Sequence, residues 1–438
     1  MAKDRRKAFL LNGYAGSGKT SVTAALVKAM QVLHLPVVLL APTGRAAKVM
    51  AHYAGVPAYT IHKYIYRAQR SGLPGESGFA LSDNKARNTL FLVDEAGMIS
   101  NSRDNATFGS GNLLEDLIRF VYTSDPQQGS TDNRNALLLL GDNAQLPPVG
   151  HTHSPALDAD VLASYSLSLT TARLTEVARQ ALDSTVLQNA SRIRQTGTIA
   201  LQEGKDLHLL QPQQLQDTLE QAYRDAGMAE TIILTRSNRR TNLYNQGVRA
   251  AILFREDALS AGDRLMVSRN NYFWTQEYAN LPFLANGDTM EVTRLRNERE
   301  LYGFHFVDAS LRLLDYDYDI DAMLWLDTLT TASPEDNYRL QQTLYERIGE
   351  DWPELQHNRR KLNEQIRQSP YYNALQVRFA YAVTCHKAQG GQWDKVFIDA
   401  GLPIEDLNAD PANIRWAYTA LTRAKQTVYW MQFPKRNQ

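Results

Sequence analysis

Short apolar runs recur along the chain, and several are followed by a polar or glycine-rich stretch and then by apolar residues at helical spacing. Continuous apolar runs of this length are typical of parallel strands that are buried on both faces of a sheet. The following runs therefore predict strands: 8–11, 37–41, 90–93, 136–140, 231–235, 377–383, 396–398 and 428–431. The alternation of such strands with helices predicts an α/β fold with parallel sheets.

The strand and helix pattern restarts near residue 231, after a polar region from about 200 to 230 whose middle part has helical spacing. A chain of 438 residues is also too long for one ordinary hydrophobic core. We therefore expect two α/β domains, which we assign to residues 1–195 and 196–438.

Two stretches interrupt the α/β pattern. Residues 67–88 are polar and rich in glycine, which predicts a small β-hairpin inserted in the first domain. After the turn at Asn286-Gly287-Asp288, short strands are predicted at 291–294, 302–308, 310–314 and 320–326, which indicates an all-β insert in the second domain. A charged run to about residue 368 begins with Ser333 as a cap and Pro334 at the first helical position, which predicts a solvated helix pair.

Composition and charge narrow the class of protein. Hydrophobic residues make up 43% and charged residues 21% of the sequence, and no apolar run approaches the roughly 20 residues that cross a bilayer. The single cysteine, Cys385, excludes an intramolecular disulfide and disfavours a cysteine-based zinc site, so we expect a cytoplasmic protein. The 47 basic and 47 acidic residues balance, and this neutral sum argues neither for nor against nucleic acid, which is bound by local basic grooves.

The clearest chemical signal lies between the first predicted strand and helix, where residues 13–20 read Gly-Tyr-Ala-Gly-Ser-Gly-Lys-Thr. This is a phosphate-binding loop, because its glycines let backbone amides surround an anion at a helix N-terminus. Lys19 can reach the β- and γ-phosphates, and the Thr20 hydroxyl can hold Mg²⁺. The predicted nucleotide-binding residues are Gly13, Gly16, Ser17, Gly18, Lys19 and Thr20.

Polar residues at the ends of two later strands suit the same chemistry. Asp94 and Glu95 follow the run 90–93, so Asp94 can hold Mg²⁺ and Glu95 can deprotonate an attacking water. Gln145 follows the run 136–140 and can sense a γ-phosphate, although a proline-rich connecting loop is the alternative interpretation. His151 and His153 have no acidic or cysteine partner at metal spacing, which favours a solvated loop.

Taken together, the ordered motifs resemble superfamily 1 DNA helicases of the RecD-like and Dda-like branch. The resemblance is carried by Gly-Tyr-Ala-Gly-Ser-Gly-Lys-Thr (13–20), Ala-Pro-Thr-Gly-Arg-Ala-Ala-Lys (41–48), Thr-Ile-His-Lys (60–63), Val-Asp-Glu-Ala (93–96), Gly-Asp-Asn-Ala-Gln-Leu-Pro-Pro-Val-Gly (141–150), Leu-Thr-Glu-Val-Ala-Arg-Gln (174–180), Thr-Cys-His-Lys-Ala-Gln-Gly (384–390) and Tyr-Thr-Ala-Leu-Thr-Arg-Ala (418–424). It implies two RecA-like domains with ATP between them, a pin insert at about 64–88 and an SH3-like and helical insert at about 289–373.

The resemblance also implies roles for individual residues. Arg179 and Arg423 look like the arginines that close on the γ-phosphate, where they would stabilise charge in the transition state. Single-stranded DNA would be contacted by Pro42, Thr43, Thr60 and His62 from the first domain, and by Thr235, Asn238, Thr384, His386 and Lys387 from the second. For the two histidines, an ordinary loop position remains an equal alternative on residue type alone. Phe79 could stack on a base or wedge a duplex fork, whereas core packing is the favoured role for Tyr64 and Tyr66.

One feature departs from the family pattern. Relatives carry an adenine-reading glutamine upstream of the phosphate loop, but only twelve residues precede Gly13 and none is glutamine. We therefore expect either a shortened chain or looser recognition of adenine, with weaker catalysis as one consequence.

The sequence as a whole predicts an ATP- and Mg²⁺-dependent DNA helicase that moves 5′ to 3′ on single-stranded DNA and unwinds a duplex fork. We expect a monomer that works with recombination or repair proteins and not with a membrane. The alternatives are a nucleotide-gated module that clamps single strands and the helicase subunit of a helicase–nuclease complex. A small-molecule kinase is disfavoured, because two α/β halves and late arginines have no use there.

Overall fold

The computed structural model describes residues 6–69, 78–103, 108–123, 134–176, 183–278, 281, 283–316, 318–331 and 333–433. Within these residues the strands form two parallel sheets, a closed barrel and a two-stranded hairpin. Helices accompany both parallel sheets, so the predicted α/β fold with parallel sheets is confirmed.

The first sheet has six parallel strands. In spatial order they are β3 (Ala58–Thr60), β2 (Val37–Ala41), β6 (Leu90–Val93), β7 (Ala136–Gly141), β1 (Arg6–Gly13) and β8 (Leu167–Leu174). The accompanying helices are α1 (Lys19–Val32), α2 (Gly44–Ala54), α3 (Ile61–Ile65), α4 (Leu113–Tyr122) and α5 (Ala159–Ser164). In β7, Leu137 and Leu139 face the core that includes α4, while Leu138 and Leu140 face the core that includes α1. Because both faces are covered, this strand is apolar along its length.

The second sheet has five parallel strands. In spatial order they are β16 (Ala382–Thr384), β10 (Thr231–Thr235), β17 (Trp393–Asp399), β18 (Ala424–Met431) and β9 (Leu207–Leu210). Its helices are α6 (Thr185–Thr196), α7 (Leu215–Ala226), α8 (Asn238–Gly247) with a π-helical extension to Ile252, α11 (Ile404–Leu407) and α12 (Pro411–Leu421). Helix α6 packs through Val186, Ala190 and Ile193 into the core of this second sheet, although the boundary assigned from sequence places it in the first domain.

A closed barrel is inserted between α8 and β16. Its strands are β11 (Arg264–Val267), β12 (Thr289–Leu301), β13 (Phe304–Leu313), β14 (Asp319–Trp325) and β15 (Leu375–Phe379). The two strands predicted at 302–308 and 310–314 are one continuous strand, β13. The single strand predicted at 377–383 is divided, because the chain leaves the barrel after Phe379 and enters the second sheet at Ala382.

A helix pair lies on the barrel. It consists of α9 (Pro334–Gly349) and α10 (Arg359–Gln368), and the side chain of Ser333 caps α9 by accepting a hydrogen bond from the amide of Asp336. Leu344, Ile348, Leu362 and Ile366 are buried together with Phe306 and Trp325 of the barrel. The helix pair predicted from the charged run is therefore solvated on one side and packed against the barrel on the other.

The predicted hairpin in the first half consists of β4 (Tyr66–Gln69) and β5 (Gly78–Leu81), which pair antiparallel. Phe79 is only 6% exposed and stacks on Phe108 with the ring centroids 4.9 Å apart. It also contacts Tyr272 and Phe283, which lie between β11 and β12. In this structure Phe79 is an interior anchor between the hairpin and the barrel region, and not an exposed wedge.

A buried carboxylate joins the barrel to the second sheet. Asp263, with no exposed surface, pairs with the guanidinium groups of Arg249 and Arg255 and accepts a hydrogen bond of 2.7 Å from the hydroxyl of Tyr381. Tyr381 lies in the connection between β15 and β16, and Asp263 directly precedes β11. The chain entering the barrel is thus tied to the chain leaving it.

No helix among the described residues combines the length and the apolar character needed to span a bilayer.

Candidate functional site

The glycine loop has the geometry that the sequence predicts. It joins β1 to α1, and Gly18 directly precedes the helix with φ of +85°, a left-handed conformation that glycine adopts without strain. A Cβ atom on Gly13 would lie 2.7 Å from Ser17 Oγ and 2.9 Å from Lys19 Cγ, so the loop requires glycine there. Lys19 Nζ donates to the carbonyls of Gly13 (2.5 Å) and Tyr14 (3.1 Å).

Ser17 gives a further indication of what this loop holds. Its hydroxyl oxygen is buried and makes no hydrogen bond within the described part of the chain. A buried polar atom without a partner is costly, and a bound anion or ordered water is the usual partner. The loop therefore has an unused polar group at the position where a phosphate group would lie.

A cavity of about 330 Å³ lies beside this loop, between the two halves of the chain. We call the part that contains the first sheet the first half, and the part that contains the second sheet and the barrel the second half. Thr20, Asp94 and Glu95 line it from the first half, and Arg423 lines it from the second half. Arg423 Nη1 lies 4.0 Å from Glu95 Oε1. Its wall also includes residues that sequence reasoning did not single out: Ser21, Ala24, Ala46, Val49, Tyr53, Gly390 and Gln392.

The two acidic residues follow β6 at the edge of the first sheet. The backbone amide of Glu95 donates to Asp94 Oδ1 at 2.8 Å, and Glu95 itself has φ of +50°. Burial raises the pKa of Asp94 to about 6, with a further increase from the Glu95 charge, while the Glu95 amide and the Lys19 charge oppose that shift. The two carboxylates face the cavity, with Asp94 bonded to the Glu95 amide and the Glu95 side chain partly exposed.

Arg423 is held rigidly just beyond the end of α12. Its side chain is 3% exposed, and its guanidinium donates to the carbonyl oxygens of Thr419 and Gly391 and to the hydroxyl of Thr422, each at 3.2 Å. These bonds fix the direction in which its charge points. Arg179, the second predicted arginine, lies outside the described residues.

Gln145 lies on the seam between the halves but does not line the cavity just described. It is 6% exposed, and the next residue, Leu146, is bonded on both sides to the second half. The Leu146 amide donates to Thr419 Oγ1 at 2.8 Å, and Gln389 Nε2 donates to the Leu146 carbonyl at 2.7 Å. The strand end that carries Gln145 is therefore clamped against the second half.

A second cavity, of about 310 Å³, lies between the first sheet, the second sheet and the barrel. Six of the predicted DNA-contact residues line it: Pro42, Thr43, Thr60, His62, His386 and Lys387. We call this cavity the groove. Arg45 also lines it, with its guanidinium carbon 3.9 Å from the ring centroid of Trp393, and was not singled out from the sequence.

The structure does not bring the remaining three predicted contacts to the groove. Thr235 has no exposed surface, and its hydroxyl bonds to the Ser237 carbonyl (3.1 Å) and to Thr241 Oγ1 (2.7 Å), so its side chain is turned inward. Thr384 pairs with Thr235 at the end of the second sheet, and Asn238 is the first residue of α8. Among the described residues, neither belongs to the groove wall.

The charged groups of the groove are partly desolvated. Burial lowers the pKa of His62 to about 4, and its ring packs edge-on against Phe108, so the imidazole is neutral near pH 7. Burial also lowers the pKa of Lys387 to about 8, and its ammonium group donates to Asn286 Oδ1 of the barrel region at 2.5 Å. The groove thus presents three cationic side chains, Arg45, Arg264 and Lys387, together with two carboxylates, Asp288 and Asp315, and neutral donors and acceptors.

Tyr418 makes a contact between the glycine loop and the second half that sequence reasoning also missed. The amide of Ala15, within the glycine loop, donates to its hydroxyl at 3.0 Å, and that hydroxyl donates to Asp142 Oδ2 at 2.7 Å. The sequence signal that could have indicated Tyr418 is its position in the motif 418–424, five residues before Arg423.

Comparisons with known proteins find two family models along the chain. A family model described as an AAA domain matches residues 1–214, and one described as a UvrD-like helicase C-terminal domain matches residues 379–431. An ATP-dependent RecD2 DNA helicase from Deinococcus radiodurans is 30% identical over 183 residues, which are 41% of this chain and 21% of that protein. The multifunctional conjugation protein TraI from Escherichia coli is 36% identical over 97 residues, 21% of this chain and 5% of that protein.

The chain therefore spans less than a quarter of the length of these curated relatives. Among solved structures, a Pif1 helicase from Bacteroides in complex with ADP-AlF3 and ssDNA aligns with 99% of this chain and 92% of that chain, at 16% sequence identity and a TM-score of 0.49.

Proposed function

We propose that the chain is an ATP-dependent DNA helicase of the RecD-like branch of superfamily 1, a proposal that the two family models and the RecD2 relative support. The observation that carries the proposal is the cavity at the seam, where Thr20, Asp94 and Glu95 from one half face Arg423 from the other. A site divided between two halves couples the chemistry of the nucleotide to their relative position, which is what a motor requires.

In the proposed reaction, the amides of the glycine loop and Lys19 hold the phosphates of ATP, and Glu95 accepts a proton from the attacking water. Arg423 and Arg179 stabilise the negative charge that develops on the transferred phosphoryl group. Gln145 reports the presence of the γ-phosphate. The 4.0 Å separation of Arg423 Nη1 and Glu95 Oε1 supports this arrangement, because both groups must lie beside the same phosphate.

A magnesium ion fits the same cavity. Mg²⁺ in nucleotide sites is usually bound by one or two protein oxygens, with phosphate oxygens and water completing the octahedron. The Thr20 hydroxyl and the Asp94 carboxylate supply two such oxygens on one cavity wall. The ion would neutralise charge on the β- and γ-phosphates, and the described residues contain no larger cluster of His, Cys, Asp or Glu ligands.

We propose that single-stranded DNA binds along the groove and that movement is 5′ to 3′. The groove is lined by Pro42, Thr43, Thr60, His62, His386 and Lys387, and also by Arg45 and Arg264. Cations next to neutral polar groups suit contacts to phosphate and sugar that ignore sequence. Thr235, Asn238 and Thr384 lie outside the groove wall. They would contact the DNA strand only after a rearrangement at the carboxyl ends of the second sheet's strands.

The inserted elements have proposed roles as well. We propose that the β4–β5 hairpin is the pin that separates the strands at a fork and that the barrel is the SH3-like insert that supports it. The aromatic contact of Phe79 with Tyr272 and Phe283 supports this pairing of roles, because it holds the hairpin against the barrel region. We further propose a cytoplasmic monomer that acts with recombination or repair proteins.

The test is ATP hydrolysis measured with and without single-stranded DNA, for the wild type and for Lys19→Ala and Glu95→Gln. We expect DNA to stimulate hydrolysis in the wild type and both substitutions to lower kcat by roughly 100-fold or more. Wild-type turnover in either variant would refute the assignment.

A forked duplex separates the helicase from a nucleotide-gated clamp. A helicase separates the strands only with ATP and only when Glu95 is intact, whereas a clamp binds the single strand without separating the fork. DNA-stimulated hydrolysis with no strand separation, on forks of either polarity, would therefore favour the clamp.

A further inference from the structure

A single phenol oxygen joins three parts of the molecule at the seam between its two halves. Tyr418 is 2% exposed and lies on α12, which packs in the second core. Its hydroxyl accepts a hydrogen bond from the Ala15 amide (3.0 Å) and donates one to Asp142 Oδ2 (2.7 Å). The glycine loop and the end of β7 are thus both bonded to a helix of the second half.

The next residue on α12 makes the adjoining contact. Thr419 Oγ1 accepts from the Leu146 amide at 2.8 Å, in the same strand-end segment that begins with Asp142. The guanidinium of Arg423 bonds back to the Thr419 carbonyl through Nε at 3.2 Å. The position of Arg423 relative to Glu95 therefore depends on how this part of α12 is seated against the first sheet.

We propose that Tyr418 is a positioning residue for the hydrolysis proposed above, on which this inference rests. Its hydroxyl holds α12 in the register that places Arg423 beside Glu95, and it fixes the glycine loop at the same time. Placement matters because a misplacement of about 1 Å in a catalytic group can lower the rate by about 10²-fold. Charge stabilisation by Arg423 would then require the Tyr418 hydroxyl as well as the arginine itself.

Other contacts at the seam let the hydroxyl be removed without separating the halves. Arg194, on α6, lies over the ring of Tyr14 in the glycine loop, with its guanidinium carbon 3.7 Å from the ring centroid. The bonds from Leu146 to Thr419 and Gln389 also remain. Tyr418→Phe keeps the buried ring, so the expected effect is local.

The experiment compares Tyr418→Phe with Tyr429→Phe, a matched change in β18 where the ring stacks on Phe397. Tyr418→Phe loses both hydrogen bonds of the hydroxyl, and we expect it to lower kcat for DNA-stimulated ATP hydrolysis by roughly tenfold, with KM for ATP within about twofold. Tyr429→Phe should leave both constants unchanged. If Tyr418→Phe folds poorly, Asp142→Ala removes one of the two bonds of the Tyr418 hydroxyl, together with the bond from the Ala144 amide to Asp142, and should also lower kcat.

A double variant separates positioning from a general structural role. If Tyr418 acts through Arg423, adding Tyr418→Phe to Arg423→Gln should lower the single-turnover rate by less than about twofold. Losses that multiply, or wild-type kcat in Tyr418→Phe, would overturn the inference. Activity retained by Lys19→Ala would instead refute the proposed function, so the two failures are distinguishable.

Discussion

Substitution of Arg423 by glutamine removes the one cation that reaches the nucleotide cavity from the second half within the described residues. An arginine delivered to a transferring phosphoryl group contributes about 10³ to 10⁵ in rate. Arg179 is proposed to share this task, so we take the lower value and expect kcat to fall by about 10³-fold, which is about 4 kcal/mol of transition-state stabilisation. KM for ATP should change little, because the glycine loop and Lys19 hold the ground state.

The cost of the same substitution to folding is smaller. The Arg423 guanidinium makes three hydrogen bonds of 3.2 Å, to Thr419, Gly391 and Thr422. A glutamine amide can replace part of this set, so the loss is one or two bonds at about 1 kcal/mol each, or roughly 1–2 kcal/mol in the free energy of unfolding. The variant should therefore be folded and still bind ATP while failing to hydrolyse it.

The assay is phosphate release at saturating single-stranded DNA, combined with the affinity for a fluorescent ATP analogue. Arg415→Gln is the matched control, since Arg415 is a half-buried arginine on the same helix, α12. A kcat for Arg423→Gln within about threefold of the wild type, at unchanged affinity for ATP, would refute the interdomain arrangement.

Two further predictions concern the groove and the helix pair. Because burial lowers the pKa of Lys387 to about 8, its ammonium group loses its proton as the pH rises through 8, and affinity for an oligonucleotide should fall by about 3- to 10-fold between pH 7 and 9. Fluorescence anisotropy measures this fall, Lys387→Arg should reduce it, and equal pH profiles for the two proteins would contradict the reasoning. Ile348→Ala empties a fully buried site between the helix pair and the barrel and should lower the free energy of unfolding by about 2–5 kcal/mol, followed by denaturant titration. Its kcat per folded molecule should stay within twofold of the wild type, and a selective loss of hydrolysis would show that the helix pair has a catalytic role.

The central strands could be predicted from sequence because burial on both faces leaves a continuous apolar run. Leu137 to Leu140 in β7 alternate between two cores, so every position is apolar. The edge strand β8 is different, since most of it is half-buried or exposed and it contains Thr170 and Thr171. Such a strand has no periodic signal strong enough to separate it from a loop.

The division between β15 and β16 could not be predicted from sequence, because it depends on contacts with distant parts of the chain. Only Ala380 and Tyr381 separate the two strands, and both are residues that a strand accommodates, so the sequence from Val377 to Val383 reads as one strand. The change of sheet depends on tertiary contacts, among them the bond from Tyr381 to Asp263, which lies 118 residues earlier in the chain. No local pattern reports a contact of that kind.

The candidate site could likewise be predicted from sequence only in part. Lys19, Thr20, Asp94 and Glu95 each follow a predicted strand, so their common edge of the sheet could be inferred. The bond between Ala15 and Tyr418 joins residues 403 positions apart and depends on how two cores pack together. Thr235 was predicted to contact DNA from its position at a strand end. Its hydroxyl instead bonds to Ser237 and Thr241 nearby in the chain, which the sequence pattern does not show.

The short passage from β15 to β16 has a mechanical consequence. To bend there, the molecule would have to break the bonds of buried Asp263 to Arg249, Arg255 and Tyr381, at a cost of about 3–5 kcal/mol for the uncompensated charge alone. These contacts fix the barrel to the sheet beside it, so the two move as one body. Asn286 and Leu314, which form a wall of the groove, belong to this same body, so any tilt of that sheet about the seam would carry the groove wall with it.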